Sequence, residues 1–128
     1  MDYGKAPSST TAIQNLKVLN NGTWSDAFQF GQPDDITWTL DGMTFELDVQ
    51  RNRFDPNPLL SLTSANGRII VDDPVQRVIH FNVPAADLQE NLDPGLYVYD
   101  LVMTSSFGVR TPLMSGTLEI TQGVSYPP

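Results

Sequence analysis

Apolar and polar residues alternate along much of this chain with a period of two, which is the pattern of β-strands. The alternation is most regular over residues 43–50, directly after the tight-turn pair Asp41-Gly42. The apolar side of this segment consists of Met43, Phe45, Leu47 and Val49. A strand of this kind packs one face on a core and exposes the other, so we predict a half-buried strand here.

A second strand is predicted over residues 96–103, after a chain reversal at Pro94-Gly95. One of its faces consists of Tyr97, Tyr99, Leu101 and Met103, and the other consists of Leu96, Val98, Asp100 and Val102. Because both faces are largely apolar, we expect this strand to lie in the centre of a sheet.

Shorter alternations, separated by turn residues, predict the remaining strands of an all-β fold. They lie near residues 12–19, 24–30, 36–40, 59–63, 68–71, 77–83 and 109–121. Trp38 is expected in the core, and Pro112 predicts an edge position or a β-bulge in the last strand. Pro84, followed by leucines four residues apart, predicts one short helical turn near 85–91.

The length of 128 residues fits one domain with a single core. We expect residues 1–20 to form a flexible N-terminal arm and a first extended segment, residues 21–122 a sandwich, and residues 123–128 a C-terminal tail. The small, polar residues of the arm allow two interpretations: a disordered end, or an arm ordered on a neighbouring subunit. The N-terminus lacks the basic and apolar regions of a secretory signal, so we expect a soluble protein that is made in the cytoplasm and is not exported by that route.

Charge and composition narrow the possible partners. The 15 acidic and 7 basic residues give a formal net charge of −8. This charge repels phosphate backbones and anionic bilayers, so we expect neither nucleic acid nor membrane as a partner. The chain has no cysteine, which excludes disulfide bonds, thiolate catalysis and zinc sites built on sulfur.

Residues that carry enzyme chemistry are scarce. His80 is the single histidine and is placed on the outer face of a predicted strand, which leaves no base for a nucleophilic triad. Paired carboxylates occur at Asp34-Asp35 and Asp72-Asp73, each beside a proline, where aspartate is more typical of turns than of calcium sites or glycosidase pairs. We therefore predict no catalytic residue, no metal site and no cofactor, and a protein that is not an enzyme.

The run Leu92-Asp93-Pro94-Gly95-Leu96-Tyr97 resembles the start of strand F in immunoglobulin-like and fibronectin type III-like sandwiches. In those folds a tyrosine hydroxyl bonds back to nearby backbone. A wider resemblance, to the small immunoglobulin-like domain proteins of tailed bacteriophages, covers residues 42–49, 66–71, 78–84, 92–101 and 113–117. It implies an immunoglobulin-like antiparallel β-sandwich of about seven to nine strands.

The resemblance also implies a structural component of a virion, either an assembly or attachment module of the tail, baseplate or fibre region, or a capsid decoration protein. Its partners would be other virion proteins, in a homo-oligomer or in many symmetric copies on a particle, contacted through the arm and edge strands. The alternative is a carbohydrate-binding or adhesive β-sandwich, whose exposed aromatic side chains contact a cell-surface glycan.

Candidate partner-binding residues lie in the arm, the loops and the tail. They are Tyr3, Ile13, Leu16, Arg51, Arg53, Phe54, Phe107 and Tyr126. For the two arginines, two interpretations stay open: a solvated loop that offsets local acidity, or a contact to an acidic neighbour.

Overall fold

Two β-sheets pack against each other in the computed structural model, which describes residues 12–125 of the chain. The elements follow in chain order: β1 (Ala12–Ile13), β2 (Leu16–Leu19), β3 (Ala27–Gln29), β4 (Thr44–Gln50), β5 (Leu60–Thr63), β6 (Ile69–Asp73), β7 (Val78–Phe81), α1 (Ala85–Asn91), β8 (Gly95–Thr104) and β9 (Arg110–Thr121). One sheet has the strand order β1-β9-β8-β4-β5, with β2 also beside β9, and the other has the order β3-β7-β6.

This strand order confirms the predicted immunoglobulin-like β-sandwich, and α1 lies where the helical turn was predicted. One detail differs from an antiparallel fold: β1 and β2 run parallel to β9. The parallel direction is possible because β2 and β9 are not joined by a hairpin; the chain leaves β2 and crosses to the other sheet.

The strands β4 and β8 supply the centre of the core, as their patterns predicted. The buried side chains are Phe45, Leu47 and Val49 of β4 and Tyr97, Tyr99, Leu101 and Met103 of β8. β8 lies between β9 and β4, which confirms its central position in the sheet. On its outer face Leu96 and Asp100 are exposed, so the apolar residues there do not indicate a second buried layer.

Two local predictions in β8 and β9 are confirmed. The hydroxyl of Tyr97 donates to the carbonyl of Asp93 at 2.6 Å, which is the backbone contact expected from the resemblance. The register of β9 shifts beside Pro112, where Leu101 pairs with Met114 but Val102 pairs with Pro112. The proline therefore lies at a β-bulge, where its missing N–H costs no regular ladder bond.

The predicted strand at residues 36–40 is wrong, because this segment forms an irregular loop. Its alternation still reflects burial: Trp38 and Leu40 lie in the core, as predicted for Trp38, and Ile36 is exposed. The backbone carbonyl of Trp38 accepts a hydrogen bond from the side chain of Arg77 instead of from a neighbouring strand.

The sandwich extends to the N-terminal side of residue 21. Residues 12–19 supply β1 and β2, and Leu16 and Val18 are buried between the sheets. The predictions for a flexible arm before Ala12 and for the last residues of the tail, 126–128, lie outside the described residues.

Candidate interaction surfaces

Three loops meet at one end of the sandwich, which we call the loop end: residues 30–43, 74–77 and 105–109. The amide of Leu40 donates to the carbonyl of Pro74 at 2.9 Å, which joins the first two loops. Gly42 faces the third loop, since a Cβ atom placed on it would lie 3.9 Å from the Cβ of Ser106. A hydrogen bond and close packing therefore connect the three loops.

The side chain of Arg77 lies beneath the loop end and is completely buried. Its guanidinium donates to the backbone carbonyls of Phe30 (2.7 Å), Asp35 (2.7 Å), Trp38 (3.2 Å), Val75 (2.8 Å) and Gln32. Because these carbonyls converge on one planar group, the arginine fixes the path of the longest loop.

The backbone of Arg77 is also unusual, with a φ of +61° that residues other than glycine rarely adopt. This conformation costs about 1 to 2 kcal/mol in a residue with a Cβ atom. The guanidinium carbon lies 5.4 Å from the ring centroid of Trp38, a cation–π distance. The side-chain contacts thus hold the residue in a backbone conformation that it would otherwise avoid.

The loop end exposes apolar side chains on this fixed backbone. Phe107 is 92% exposed, Ile36 is 88% exposed and Val75 is 54% exposed. The carbonyls of Asp35 and Val75 bind the same Nη1 atom of Arg77, so Ile36 and Val75 extend from neighbouring points of the backbone. Large apolar side chains that remain exposed on a fixed backbone are typical of protein interaction sites.

The same loops carry carboxylates and no exposed cation, because Arg77 is their single basic residue. Asp34 and Asp41 are exposed, and Asp35 is half-buried. Asp35 accepts hydrogen bonds from the hydroxyl and the amide of Thr37, at 2.6 Å and 2.8 Å, and these bonds lower the pKa of its carboxyl. The solvent-facing surface of the loop end is therefore both apolar and acidic.

The two carboxylates of the predicted pair Asp72-Asp73 make different contacts. Asp73 accepts the amides of Val75 and Gln76 at 3.1 Å and 3.0 Å, which confirms its prediction as a turn residue. Asp72 lies 2.7 Å from Nδ1 of His80, on the outer face of the three-stranded sheet. Within residues 12–125, no group of three or more histidine, aspartate or glutamate side chains is arranged to hold a metal ion.

The loop of residues 51–59 lies at the opposite end, where β4 finishes. Phe54 at its tip is 92% exposed. Arg51 is exposed and lies 5.1 Å from the ring centroid of Tyr97 in its own chain. Arg53 is exposed and lies near Asp100, where its charge opposes a rise in the pKa of that carboxyl. This end combines one free aromatic ring with two arginines.

A third surface is the edge of β9 that binds residues 14–15, which connect β1 to β2. The amide of Gln14 donates to the carbonyl of Ser115 at 2.8 Å, and the hydroxyl of Tyr99 donates to the carbonyl of Gln14 at 2.6 Å. The amide of Thr117 donates to Oδ1 of Asn15 at 3.1 Å. Burial of Tyr99 raises the pKa of its hydroxyl to about 12, so it remains a hydrogen-bond donor over the physiological range.

Gly116 lies at the centre of these contacts. A Cβ atom placed on it would lie 2.3 Å from the carbonyl oxygen of Gln14, closer than real atoms approach. Tyr99, Ser115, Gly116 and Thr117 therefore form a site shaped for the backbone of an extended segment, which we call the acceptor site.

The opposite edge of this sheet is closed by a side chain. Asn66 accepts the amide of Thr63 at 3.0 Å through Oδ1 and donates through Nδ2 to the carbonyl of Ser61 at 3.1 Å. These are backbone groups of β5 that a further strand would otherwise use. A further strand could therefore pair with these two groups of β5 only by displacing Asn66.

Three carboxylates lie together on the outer face of the six-stranded sheet. Asp48 of β4 stands directly opposite Asp100 of β8, and Glu46 is on the same face of β4. The pKa of Glu46 is raised, first by a hydrogen bond with Asp48 and then by burial and by the charge of Asp48. The positive charge of Arg110 opposes this rise. Burial, then the charge of Asp48, raises the pKa of Asp100, opposed by Arg110 and Arg53.

We expect Asp100→Asn to stabilise the protein at neutral pH, by less than about 1 kcal/mol because the site is partly exposed. A carboxyl whose pKa is higher in the folded state stabilises it below the unfolded pKa and loses this effect as pH rises through the folded value. The contribution of this carboxylate cluster to the stability of the native protein should therefore rise as pH falls from 7 toward about pH 4, and the variant should gain less from it. Urea midpoints across this range measure both effects.

The control for this change is Asp34→Asn, which removes an equal charge from an exposed loop position. It should shift the urea midpoint less than Asp100→Asn does. A lower midpoint for Asp100→Asn at pH 7 would contradict repulsion among the three carboxylates.

The predicted partner-binding residues fall into three groups in the structure: exposed, buried, and outside the described residues. Ile13, Arg51, Arg53, Phe54 and Phe107 are exposed. Leu16 is a correction, because its side chain is buried in the core of its own chain, where β2 packs beside β9. Tyr3 and Tyr126 lie outside the described residues. Ile36, Arg77 and Gly116 were not among the predicted residues.

Comparisons with known proteins complete this description. No family model matches the chain, and neither does any curated protein. Among solved structures it is similar to CopC from Methylosinus trichosporium OB3b, with 11% identity, 84% of each chain covered and a TM-score of 0.45. It is also similar to extracellular domains 3–5 of Drosophila OTK, with 14% identity and a TM-score of 0.32, covering 91% of this chain and 37% of that one. Neither likeness bears on function, and the strand order itself defines the fold.

In the part of the chain that the structure describes, no helix has the length and hydropathy needed to cross a bilayer.

Proposed function

We propose that this chain is a structural, non-enzymatic subunit of a tailed-bacteriophage particle that binds other virion proteins through its loop end. The observation that carries the proposal is the set of exposed apolar side chains on loops held by Arg77, namely Ile36, Val75 and Phe107. A surface that is already ordered loses little conformational entropy when a partner covers it. Its placement in a virion is supported by the resemblance of residues 42–117 to phage immunoglobulin-like proteins.

Charge gives the expected partner a second property. The loop end carries Asp34, Asp35 and Asp41 around its apolar side chains. A complementary partner therefore has an apolar depression bordered by lysine or arginine. Binding through such a surface should weaken as the salt concentration rises, because the charges at its border are exposed.

The geometry supports carbohydrate binding less well. Sugar platforms use exposed aromatic rings, but Trp24 and Trp38 are 3% and 5% exposed. Among residues 12–125, the exposed phenyl rings of Phe54 and Phe107 lie at opposite ends of the sandwich, so these two rings cannot form one platform. Glycan binding is therefore the alternative outcome of the test.

We expect particles produced from the genome that encodes this chain to contain it in many copies. Mass spectrometry of purified particles, with the major capsid protein as the internal reference, measures the copy number. Absence of the chain from purified particles, with binding to a glycan array, would replace the proposal by the carbohydrate-binding alternative.

We expect the double variant Ile36→Ser with Phe107→Ser to lower incorporation into particles more than about tenfold, because it removes the two most exposed large apolar side chains of the loop end. Both side chains are exposed in the free chain, so the unfolding temperature should change little. Phe54→Ser is the matched control, since it removes an equally exposed ring from the opposite end. Equal incorporation of both variants would exclude the loop end as the binding surface.

A further inference from the structure

We infer that the acceptor site on β9 is an exchangeable binding site for an extended polypeptide, and that its second ligand is residues 12–19 of another copy of this chain. In the exchanged form, β1 and β2 of one copy pair with β9 of its neighbour, and the neighbour returns the same segment. The inference deepens the proposed function and rests on it for the presence of many copies on one particle.

The acceptor site recognises backbone and a single polar side chain. Three of its hydrogen bonds involve the main chain of Gln14 or Oδ1 of Asn15, and Gly116 leaves the space that the Gln14 carbonyl occupies. None of these contacts depends on whether the segment belongs to the same chain. A segment from a second copy would make all of them.

The segment pairs with one strand only. Within the described residues, β1 and β2 form ladder hydrogen bonds to β9 alone, and they precede every other element. Their removal would leave the strand ladders of the other seven strands in place, while it would expose Leu16 and Val18. Opening is therefore local but unfavourable, and occupation by a second copy restores the buried surface.

The connection after the segment favours exchange. Asn20 is held by the carbonyl of Thr121, and Trp24 is held by Val83 of the other sheet, which leaves residues 21–23 to cross between them. A short connection between two fixed points resists closure within one chain and relaxes when the segment extends to a neighbour. Gly22 has no atom within 4 Å of a Cβ position, so nothing blocks that extension at this residue.

Single cysteines test the inference directly, because the chain has none of its own. Lys17 and Glu119 are partners in the parallel register of β2 and β9, so cysteines at these positions can form a disulfide. We expect a mixture of the Lys17→Cys and Glu119→Cys variants, unfolded together in urea, refolded and oxidised, to form a disulfide-linked heterodimer. Its yield should rise with protein concentration, as measured on a non-reducing gel.

The matched control pairs Lys17→Cys with Arg110→Cys, which lies at the far end of β9 and out of register. A heterodimer yield equal to that of this control at every concentration would overturn the inference. As a second measurement, deletion of Gly22 and Thr23 should increase the dimer fraction in gel filtration, since the shortened connection cannot close within one chain. An unchanged dimer fraction would also count against exchange.

These results separate the two proposals. Exchange should persist in the variant Ile36→Ser with Phe107→Ser, because neither side chain takes part in the contacts that hold residues 12–19 on β9. Incorporation into particles with no heterodimer above the control would reject exchange and leave the proposed function standing. If the heterodimer forms but the chain is absent from particles, the proposed function is rejected and exchange stands.

Discussion

Arg77→Ala should lower the free energy of unfolding by about 3 to 5 kcal/mol, the largest loss we expect from a single side chain. The guanidinium serves five backbone carbonyls, and alanine would leave each of them without its buried donor. Domains of this size are stable by only about 5 to 15 kcal/mol, so the variant would lose a large part of its stability. The urea midpoint, followed by tryptophan fluorescence, measures the loss.

Three further substitutions divide this effect into its parts. Arg77→Lys keeps the positive charge but replaces the planar fork by one ammonium, so it should recover little of the loss. Arg77→Gly should be about 1 kcal/mol more stable than Arg77→Ala, because glycine adopts the φ of +61° without strain. Arg68→Ala is the control, since Arg68 forms an ion pair with Asp87 at 2.8 Å that is about a third exposed. Equal midpoints for Arg77→Ala and Arg68→Ala would contradict the structural role of Arg77.

Arg77 also links stability to binding. The carbonyl of Asp35, the residue before Ile36, accepts a hydrogen bond from the arginine and so helps to fix the backbone that carries Ile36. Loss of Arg77 should therefore weaken partner binding by the loop end even under conditions where the variant remains folded. The sharper test of the loop end remains the surface variant, which leaves the core intact.

The sequence predicted those features that depend on neighbouring residues. The alternation in residues 43–50 and 96–103 reflects burial of one face, and burial of that face is what the structure shows. Pro112 predicted the bulge because proline lacks the ladder donor wherever it stands. Tyr97 follows its turn closely enough for its hydroxyl to reach Asp93 within four residues.

Features that depend on distant partners could not be predicted in this way. Residues 36–40 alternate like a strand, but the carbonyl of Trp38 within them is bound by a side chain 39 positions away, and nothing in the sequence connects the two. In the sequence, Arg77 cannot be distinguished from a surface arginine, and only the fold shows that its side chain is buried. The pattern of residues 12–19 predicts an extended segment but does not identify what it pairs with, so Leu16 was assigned to a partner, whereas β9 of the same chain binds this segment.

One residue of the acceptor site did carry a usable signal. A glycine within a predicted strand indicates a bulge or a close approach of another backbone, and Gly116 stands inside the segment 109–121. The pattern shows that something approaches, but it does not identify Gln14 as the group that does so. That step needed the parallel register of β1 and β2 on β9.

Gly116→Ala should lower the free energy of unfolding by about 3 kcal/mol and release residues 12–19 from the sheet. The added Cβ atom would lie 2.3 Å from the Gln14 carbonyl oxygen and 2.9 Å from its carbon, so the backbone of the segment must move away. Release exposes Leu16 and Val18, each of which contributes about 1.5 to 3 kcal/mol when fully buried. Lys17 then becomes a site for trypsin, and mass spectrometry after limited digestion detects the cut.

The matched control is Gly95→Ala at the start of β8. Gly95 has a φ of +153° and Gly116 one of +157°, so alanine changes the backbone preference equally at both positions. No atom lies within 4 Å of a Cβ position on Gly95, so only the collision with Gln14 distinguishes the two variants. We expect Gly95→Ala to stay resistant to trypsin at Lys17 and to lose less stability. Equal losses of stability and equal cleavage at Lys17 would show that the effect comes from the backbone preference of glycine and not from a collision with the segment that β9 binds.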